Sequence, residues 1–327
     1  MIVSRFAPAP TGWLHLGHVV NAIYVWGITK AAGGRVLLRI EDHDRQRSRP
    51  EFERAILDDL DWLGFYPDAP STDAFRAGTC DGRQHDRQAV YVSALDGLRA
   101  QGLVYACECS RRDVASSSPD PAPGELRYAG TCADKGLEEI PGRGLRLRLA
   151  PSLESFDDGM HGPIDQRPSL QCGDLLLRDR DGQWTYQFAV TLDDYQQGVT
   201  LVIRGDDLLS STGRQLQLAR LLGRTAPARF VHHPLVMKSP GQKLSKADGD
   251  TSIRDMREDG LTAAQVIGRA VLASGLAETD DPLEAVDVPA MVAASDVDYL
   301  VSSLRDWATR ADDTTYRDPL GGRETRA

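Results

Sequence analysis

No apolar run in this 327-residue chain approaches the roughly 18 consecutive residues that a membrane helix needs. The opening "MIVSRFAPAP" lacks the apolar stretch and cleavage pattern of a secretory signal. Cysteines are few, and five of them, odd in number and unevenly spaced, do not make a disulfide framework. A reducing, cytoplasmic home fits these absences, and no membrane is expected among the partners. Positive charge is also short: 38 Lys and Arg against 48 Asp and Glu give a net charge of −10. Such a balance weighs against nucleic-acid binding over the whole surface, because phosphate contacts leave a basic footprint. Much of the acid lies in "LAETDDPLEAVDVPAMVAASDVDY", however, so a local basic face stays open. There is no internal repeat.

The patterns that are present read as an α/β protein. "IVSRF" is a short strand ended by Pro8 and Pro10, which cannot donate ladder hydrogen bonds. Apolar residues then recur at Val19, Ile23, Trp26 and near Ala31, close to helical spacing, before "AAGG" stops the helix. "RVLLRIED" follows as a nearly continuous apolar strand of the kind buried in a parallel sheet. Strand, helix and strand make the βαβ unit of a doubly wound fold. "RPEFERAILDDLDWLGF" is an amphipathic helix with Pro50 in its first turn, and another helix covers residues 84–101.

Composition shifts toward Cys, Ser and Pro from residue 105. The expected division is a first α/β segment (1–104), an insert (105–170), a second α/β segment (171–254) and a short helical C-terminal region (255–327) with a loose tail. "GLRLRLA" alternates arginine with leucine, which puts Arg146 and Arg148 on a solvated strand face. "DLLLRDRDGQWTYQFAV" reads as a hairpin turning at Asp181-Gly182. "VTLVIRGDDLLSSTGRQLQLARLLG" reads as strand, loop and helix, and "RFVHHPLVM" as a further strand running into the polar loop "KSPGQKLSKADGD".

Three clusters carry chemistry. The first is "RFAPAPTGWLHLGH", where His15 and His18 bracket Gly17 at the start of a helix. That position offers backbone N–H groups and a positive dipole to phosphate, and Gly17 leaves room for a flat base or ribose. Two capping or packed histidines would give the same pattern. The second is "KLSK", Lys243 to Lys246, whose two ammonium groups flank the Ser245 hydroxyl and suit polyphosphate; alone it would also pass for a solvated lysine loop. The third is Cys107-x-Cys109, eighteen residues, then Tyr128-x-x-x-Cys132. Its thiolates are spaced for a small zinc knot, with buried thiols beside a packed tyrosine as the alternative. Cys80 and Cys172 fit no ligand pattern.

The first two clusters, in this order and setting, resemble the two ATP-binding motifs of class I aminoacyl-tRNA synthetases. "RFAPAPTG", "RIEDHD" and "IRGDDLLSSTGRQLQLARLLG" narrow the resemblance to the glutamyl branch. Ala9 stands where serine is common, and Leu16 where isoleucine is usual. The resemblance spans roughly residues 1–275 and implies a Rossmann-like catalytic domain. It implies ATP contacts at Pro8, Gly12, His15, Gly17, His18, Lys243, Ser245 and Lys246, with His15, His18 and Lys246 catalytic. Glutamate would meet Arg5, Phe6, Ala7, Pro8, Ala9, Glu41, Tyr186 and Arg204. Arg5 and Arg204 can neutralise carboxylates through forked hydrogen bonds, and Glu41 can take the α-ammonium.

The C-x-C…Y-x-x-x-C arrangement is similar to that of the glutamyl-queuosine tRNA(Asp) synthetase branch. That likeness implies one zinc on Cys107, Cys109, Tyr128 and Cys132, magnesium with ATP, and L-glutamate and queuosine-bearing tRNA(Asp) as substrates. Only about eighty residues follow Lys246, so no anticodon-reading domain and a monomer are expected. Two other readings stay open: a truncated glutamyl-tRNA synthetase charging the 3′ end, and a non-catalytic paralogue that binds tRNA or adenylate.

Overall fold

The computed structural model describes residues 1–118, 126–239, 242–243 and 251–312. β1 (Val3–Phe6) and β2 (Arg35–Leu38) pair in parallel, Val3 opposite Arg35 and Phe6 opposite Leu38. α1 (Leu16–Ala31) crosses between them, giving the expected βαβ unit. β2 is shorter than "RVLLRIED" suggests, because beyond Leu38 only Ile40 keeps a bridge, to Arg83. α2 (Pro50–Leu63) begins with Pro50, whose missing N–H costs nothing there. α3 (Thr72–Arg76) and α4 (Gln88–Ala100) follow.

β3 (Val104–Cys107), α5 (Arg111–Ser117) and β4 (Gly144–Leu147) come next. The hairpin of β5 (Glu154–Asp158) and β6 (Gly162–Gln166) then leads through α6 (Pro168–Gln171) to β7 (Leu175–Arg178). β3, β4 and β7 form one antiparallel sheet. α7 (Tyr186–Gln196), β8 (Leu201–Gly205), α8 (Thr212–Leu221) and β9 (Arg229–His233) complete the main sheet, ordered β6-β5-β9-β8. β8 and β9 are parallel, as are β5 and β9. β1 lies along β8, with Thr200 N donating to Val3 O at 2.9 Å. β10 (Met237–Ser239) pairs with β11 (Gln242–Lys243). α9 (Ile253–Glu258), α10 (Ala263–Ser274), α11 (Val288–Ala293) and α12 (Asp298–Asp312) end the described chain. No helix among the described residues is long and apolar enough to cross a membrane.

Two apolar cores result. One joins α1, β1, β2 and α2 to α10, α11 and α12. The other lies between α4, the β3-β4-β7 sheet and α7. Two expectations are corrected here. The second arm of the supposed hairpin keeps only the Arg178–Trp184 bridge and becomes α7 at Tyr186. Its apolar residues serve the second core on one helical face, with Phe188, Ala189 and Leu192 buried. Arg146 is not solvated: it is 8% exposed, because β4 is the central strand of its sheet. Arg148, one pleat on, is exposed as expected.

Candidate active site and thiol cluster

α1 starts with the two histidines themselves. His15 is its N-cap in extended conformation, φ −130° and ψ 175°. The His15 Nδ1 accepts from Gly17 N at 3.1 Å, and the His18 Nδ1 accepts from His15 N at 3.1 Å. The rings lie 4.0 Å apart, tilted by 58°. The usual Ser/Glu capping box is therefore built from imidazoles, which answer two of the orphan N–H donors of the first turn. No acidic side chain occupies that turn, so the positive end of the helix is not neutralised locally. A Cβ on Gly17 would come within 3.0 Å of His15 Cε1, so the glycine gives the cap ring its place. The loop before the helix is pinned by Glu41 N donating to Pro8 O at 3.0 Å, and by Thr11 N donating to Ala9 O at 2.8 Å. Ala7, Ala9 and Gly12 are half-buried, and Phe6 packs on Trp26 at 5.3 Å. α9 closes the far side, Ile253 N donating to Leu14 O at 2.8 Å and Ser252 bridging His15. Lys243 sits in β11, while Ser245 and Lys246 lie outside the described residues.

Next to this turn lies a buried set of charges. Arg5 Nε donates to Asp194 Oδ1 at 3.0 Å, and Arg39 Nη2 donates to the same oxygen. Arg39 Nη1 stands 3.5 Å from Glu41 Oε1. Burial alone would raise the Asp194 carboxyl, but Arg5 and Arg39 outweigh it and bring it down to about 2. Burial raises Glu41 above the usual carboxylate range, against the pull of Arg39 and Arg5. Burial, with Glu41 alongside, pushes the Tyr186 phenol to about 12. Tyr186 feels Glu41, Arg204, Arg5 and Asp194 together, so Arg5, Glu41, Tyr186 and Arg204, named from separate sequence segments, meet in one place.

Arg204 differs from the other arginines of the set. It donates to His232 Nε2 at 2.9 Å, Gln215 Oε1 at 2.7 Å, Thr212 Oγ1 at 2.9 Å and Leu208 O at 3.3 Å. None of these partners is a carboxylate. Burial, with Arg5 nearby, lowers its pKa. Because Arg204 can only donate, His232 Nε2 accepts, and the imidazole proton is on Nδ1. That Nδ1 reaches Asp158 Oδ2 at 2.6 Å. Burial keeps His232 below its ordinary pKa despite Asp158. An Asp158–His232–Arg204 chain thus orients the guanidinium.

The insert holds the third cluster. The sulfurs of Cys107, Cys109 and Cys132 lie within 4.8 Å of one another. The Tyr128 hydroxyl donates to Cys107 Sγ at 3.5 Å and accepts from Cys132 N at 2.8 Å. Burial raises Cys109 to about 12 and Tyr128 further still. Burial opposes ionisation of Cys132 as well, but donors from Glu108 N, Cys109 and Tyr128 lower it. The Arg146 guanidinium lies 3.6 Å over the Tyr128 ring, and its Nε donates to Cys107 Sγ at 3.3 Å. Gly173, at φ +67°, backs this loop so closely that a Cβ would fall 2.0 Å from Tyr128 O. Tyr128 N donates there to Cys172 O at 2.9 Å.

Sequence reasoning missed Arg39, Asp194, Asp158, His232 and Arg146. The "RIED" motif contains Arg39, and "VHH" contains His232; nothing in the spacing singles out Asp158 or Asp194.

A helix-start histidine pair beside a parallel sheet is the layout of a large class of tRNA ligases. Residues 1–287 match the family described as tRNA synthetases class I (E and Q), catalytic domain, and the chain belongs to that family of enzymes. Within it, the chain falls with the Glutamyl-Q tRNA(Asp) synthetases. The one from Nitratidesulfovibrio vulgaris is 40% identical over 287 residues, covering 84% of this chain and 87% of that one. The one from Rhodobacter capsulatus is 40% identical over 283 residues, covering 81% and 98%. The crystal structure of glutamate-tRNA synthetase from Elizabethkingia anophelis superposes with a TM-score of 0.69 at 25% identity, covering 93% of this chain and 66% of that longer one.

Proposed function

We propose that the enzyme activates L-glutamate with ATP, needing no tRNA for that step, and transfers glutamate to queuosine in the anticodon of tRNA(Asp). The observation that carries the choice of glutamate is Arg204, a buried guanidinium whose partners are all neutral. A substrate carboxylate would supply the missing countercharge through a forked hydrogen bond. Glu41, whose buried Oε1 has no hydrogen-bond partner although Arg39 stands 3.5 Å away, would take the α-ammonium. Arg5 is already committed to Asp194 and would act on substrate as a fixed positive field.

The α-carboxylate oxygen of glutamate attacks the α-phosphorus of ATP. An O–P bond forms, the bond to the β-phosphate breaks, and pyrophosphate leaves with the electron pair. His15, His18 and Lys246 stabilise the charge on the transferring phosphates, with Lys243 and Ser245 beside them. Pro8, Gly12 and Gly17 shape the nucleotide loop, and Phe6, Ala7 and Ala9 carry the backbone past the glutamate pocket. Magnesium, when bound with ATP, supplies further charge neutralisation. A ring hydroxyl of queuosine then attacks the acyl carbon, forming an ester and releasing AMP and a proton. The supporting test follows radiolabelled glutamate through nuclease digestion of tRNA(Asp). Label should stay with the anticodon fragment, and tRNA from cells unable to make queuosine should accept none. Label on the terminal adenosine overturns the acceptor assignment.

The thiol cluster fits zinc, since three soft donors converge within bonding reach of one point. Cys107, Cys109, Cys132 and Tyr128 would hold it, and the metal would supply a cross-link that fixes the polar insert. Three thiolates and a phenolate around a dication leave excess negative charge, which Arg146 is positioned to offset. Untagged protein grown with zinc should contain about one equivalent. Arg146→Met should release it to a chelator about tenfold faster or more, by analogy with losses of groups that support metal ligands. Unchanged release, with the zinc-free stability lowered instead, would make Arg146 a packing residue only.

A further inference from the structure

A second cleft, of about 510 Å³, opens beside the proposed active site and shares Pro10 and Asp42 with its loop. The two are physically joined, Arg49 N donating to Pro10 O at 3.0 Å and His85 N to Asp42 Oδ1 at 2.7 Å. Five arginines line it: Arg45, Arg49, Arg54, Arg76 and Arg83. Three have acidic partners. Arg45 is held by Asp42, Arg83 by Glu53 and Asp86, and Arg76 by Asp58, Asp61 and Asp73.

Arg49 and Arg54 are different. Arg49 donates from one Nη1 to the carbonyls of Gln46 and Ser48, at 2.8 and 2.9 Å, and meets no carboxylate among the described residues. Arg54 has no ion pair or hydrogen bond among the described residues. Both side chains are exposed. Between them α2 begins, but Pro50 brings no N–H and Glu51 and Glu53 occupy the first turn, so the helix end itself offers no anion site. Ser48, which also lines the cleft, is 9% exposed, and its Oγ has no hydrogen-bond partner. A buried hydroxyl left unpaired costs free energy unless something else satisfies it. Two guanidiniums without a carboxylate partner among the described residues, beside that hydroxyl, make a receptor for a phosphate oxyanion.

We propose that this cleft binds a backbone phosphate of the RNA substrate, through Arg49, Arg54 and Ser48. The proposal rests on the functional reading above and adds to it the RNA-docking side of the active-site mouth. The phosphates of ATP are already accounted for at the start of α1. Exposed arginines around an open cleft also suit a polymer that passes by more than a small anion that must be enclosed. The chain is acidic overall, at −10, so a local basic rim next to the chemistry concentrates the backbone where it is needed.

The test uses the full-length enzyme with Arg49→Ala and Arg54→Ala, singly and together. Glutamate-dependent exchange of pyrophosphate into ATP should stay within about twofold of wild type, which also reports an intact fold. Affinity for a tRNA(Asp) anticodon stem-loop should fall about tenfold or more in the double variant. The slope of log K against log salt should shrink by about one for each arginine removed. Because a phosphate contact is blind to the base, the loss should be equal for RNA with and without queuosine. Unchanged RNA affinity and salt slope would overturn the proposal, and so would a loss confined to pyrophosphate or ATP. Should wild-type enzyme glutamylate another nucleotide while the double variant still loses RNA binding, the functional reading falls and the cleft stands.

Discussion

Arg204→Met should nearly abolish glutamate activation, raising KM for glutamate and lowering kcat/KM in pyrophosphate exchange by about 10²- to 10³-fold. Truncating one partner of a desolvated, hydrogen-bonded charge pair costs about 2–5 kcal/mol, and every 1.4 kcal/mol is about tenfold. The proposed partner here is the substrate carboxylate, since among the described residues Arg204 hydrogen-bonds to neutral groups, His232, Gln215, Thr212 and a carbonyl among them. Arg204→Lys should recover little, because an ammonium cannot reproduce the planar fork that these four acceptors orient. KM for ATP should move much less, as the nucleotide is assigned to the other side of the pocket. A variant with ordinary KM for glutamate would remove Arg204 from substrate binding and leave it a structural cation.

Replacing Asp194 should act on the fold before it acts on chemistry. Its carboxylate is the shared acceptor of two buried guanidiniums, Arg5 and Arg39. Removing one partner of a buried pair costs about 3–5 kcal/mol, because a charge is left uncompensated; here two are left. Urea unfolding at pH 7 should place Asp194→Asn at least about 3 kcal/mol below wild type. The difference should depend on pH in one direction. A carboxyl lowered from 3.8 to about 2 contributes stability that is full above the unfolded-state value and is lost as pH falls toward the folded one. The depression accounts for about 2 kcal/mol of the gap at neutral pH, so wild type should converge toward the variant between about pH 4 and pH 2. A gap that stays constant through this window would show that shape, and not charge, holds the three residues together.

These two residues also mark where sequence reasoning reaches and where it stops. The βαβ start, α2 with Pro50, and α8 after the R-G-D-D-L-L turn follow from periodicity and punctuation, which are local properties. The histidine pair, Glu41, Arg204 and the cysteines could be named because each lies in a short pattern, and Tyr186 because the family resemblance implies it. Asp194 could not, since it meets Arg5 across 189 residues and Arg39 across 155, and an acidic residue within "TLDDYQQ" carries no mark of burial. Arg146 was misjudged for a related reason. Alternation tells inside from outside only when one face of a sheet is wet, and β4 has neighbours on both sides with Tyr128 and Cys107 against the arginine. The segment at Tyr186 reads as a strand because Asp181-Gly182 marks a hairpin turn before it. Only packing against the second core selects the helical period there.

The imidazole capping box has a consequence for how variants of this enzyme are interpreted. His15 and His18 are the first hydrogen-bond acceptors of α1, and the proposed reaction gives them a second duty toward the phosphates of ATP. An alanine at either position therefore unwinds a helix end as well as deleting a charge donor, and lost turnover alone cannot apportion the two. The backbone supplies an independent gauge. The amide hydrogens of His15 and Gly17 are shielded from solvent by these same rings, so their deuterium uptake reports whether the arrangement is intact in an enzyme that has never seen substrate. Asparagine at position 15, a good N-cap with an acceptor oxygen but no ring, and glutamine at position 18, the usual partner three residues on, would keep the amides protected while removing the imidazole, and would separate the architectural duty of each histidine from its chemical one.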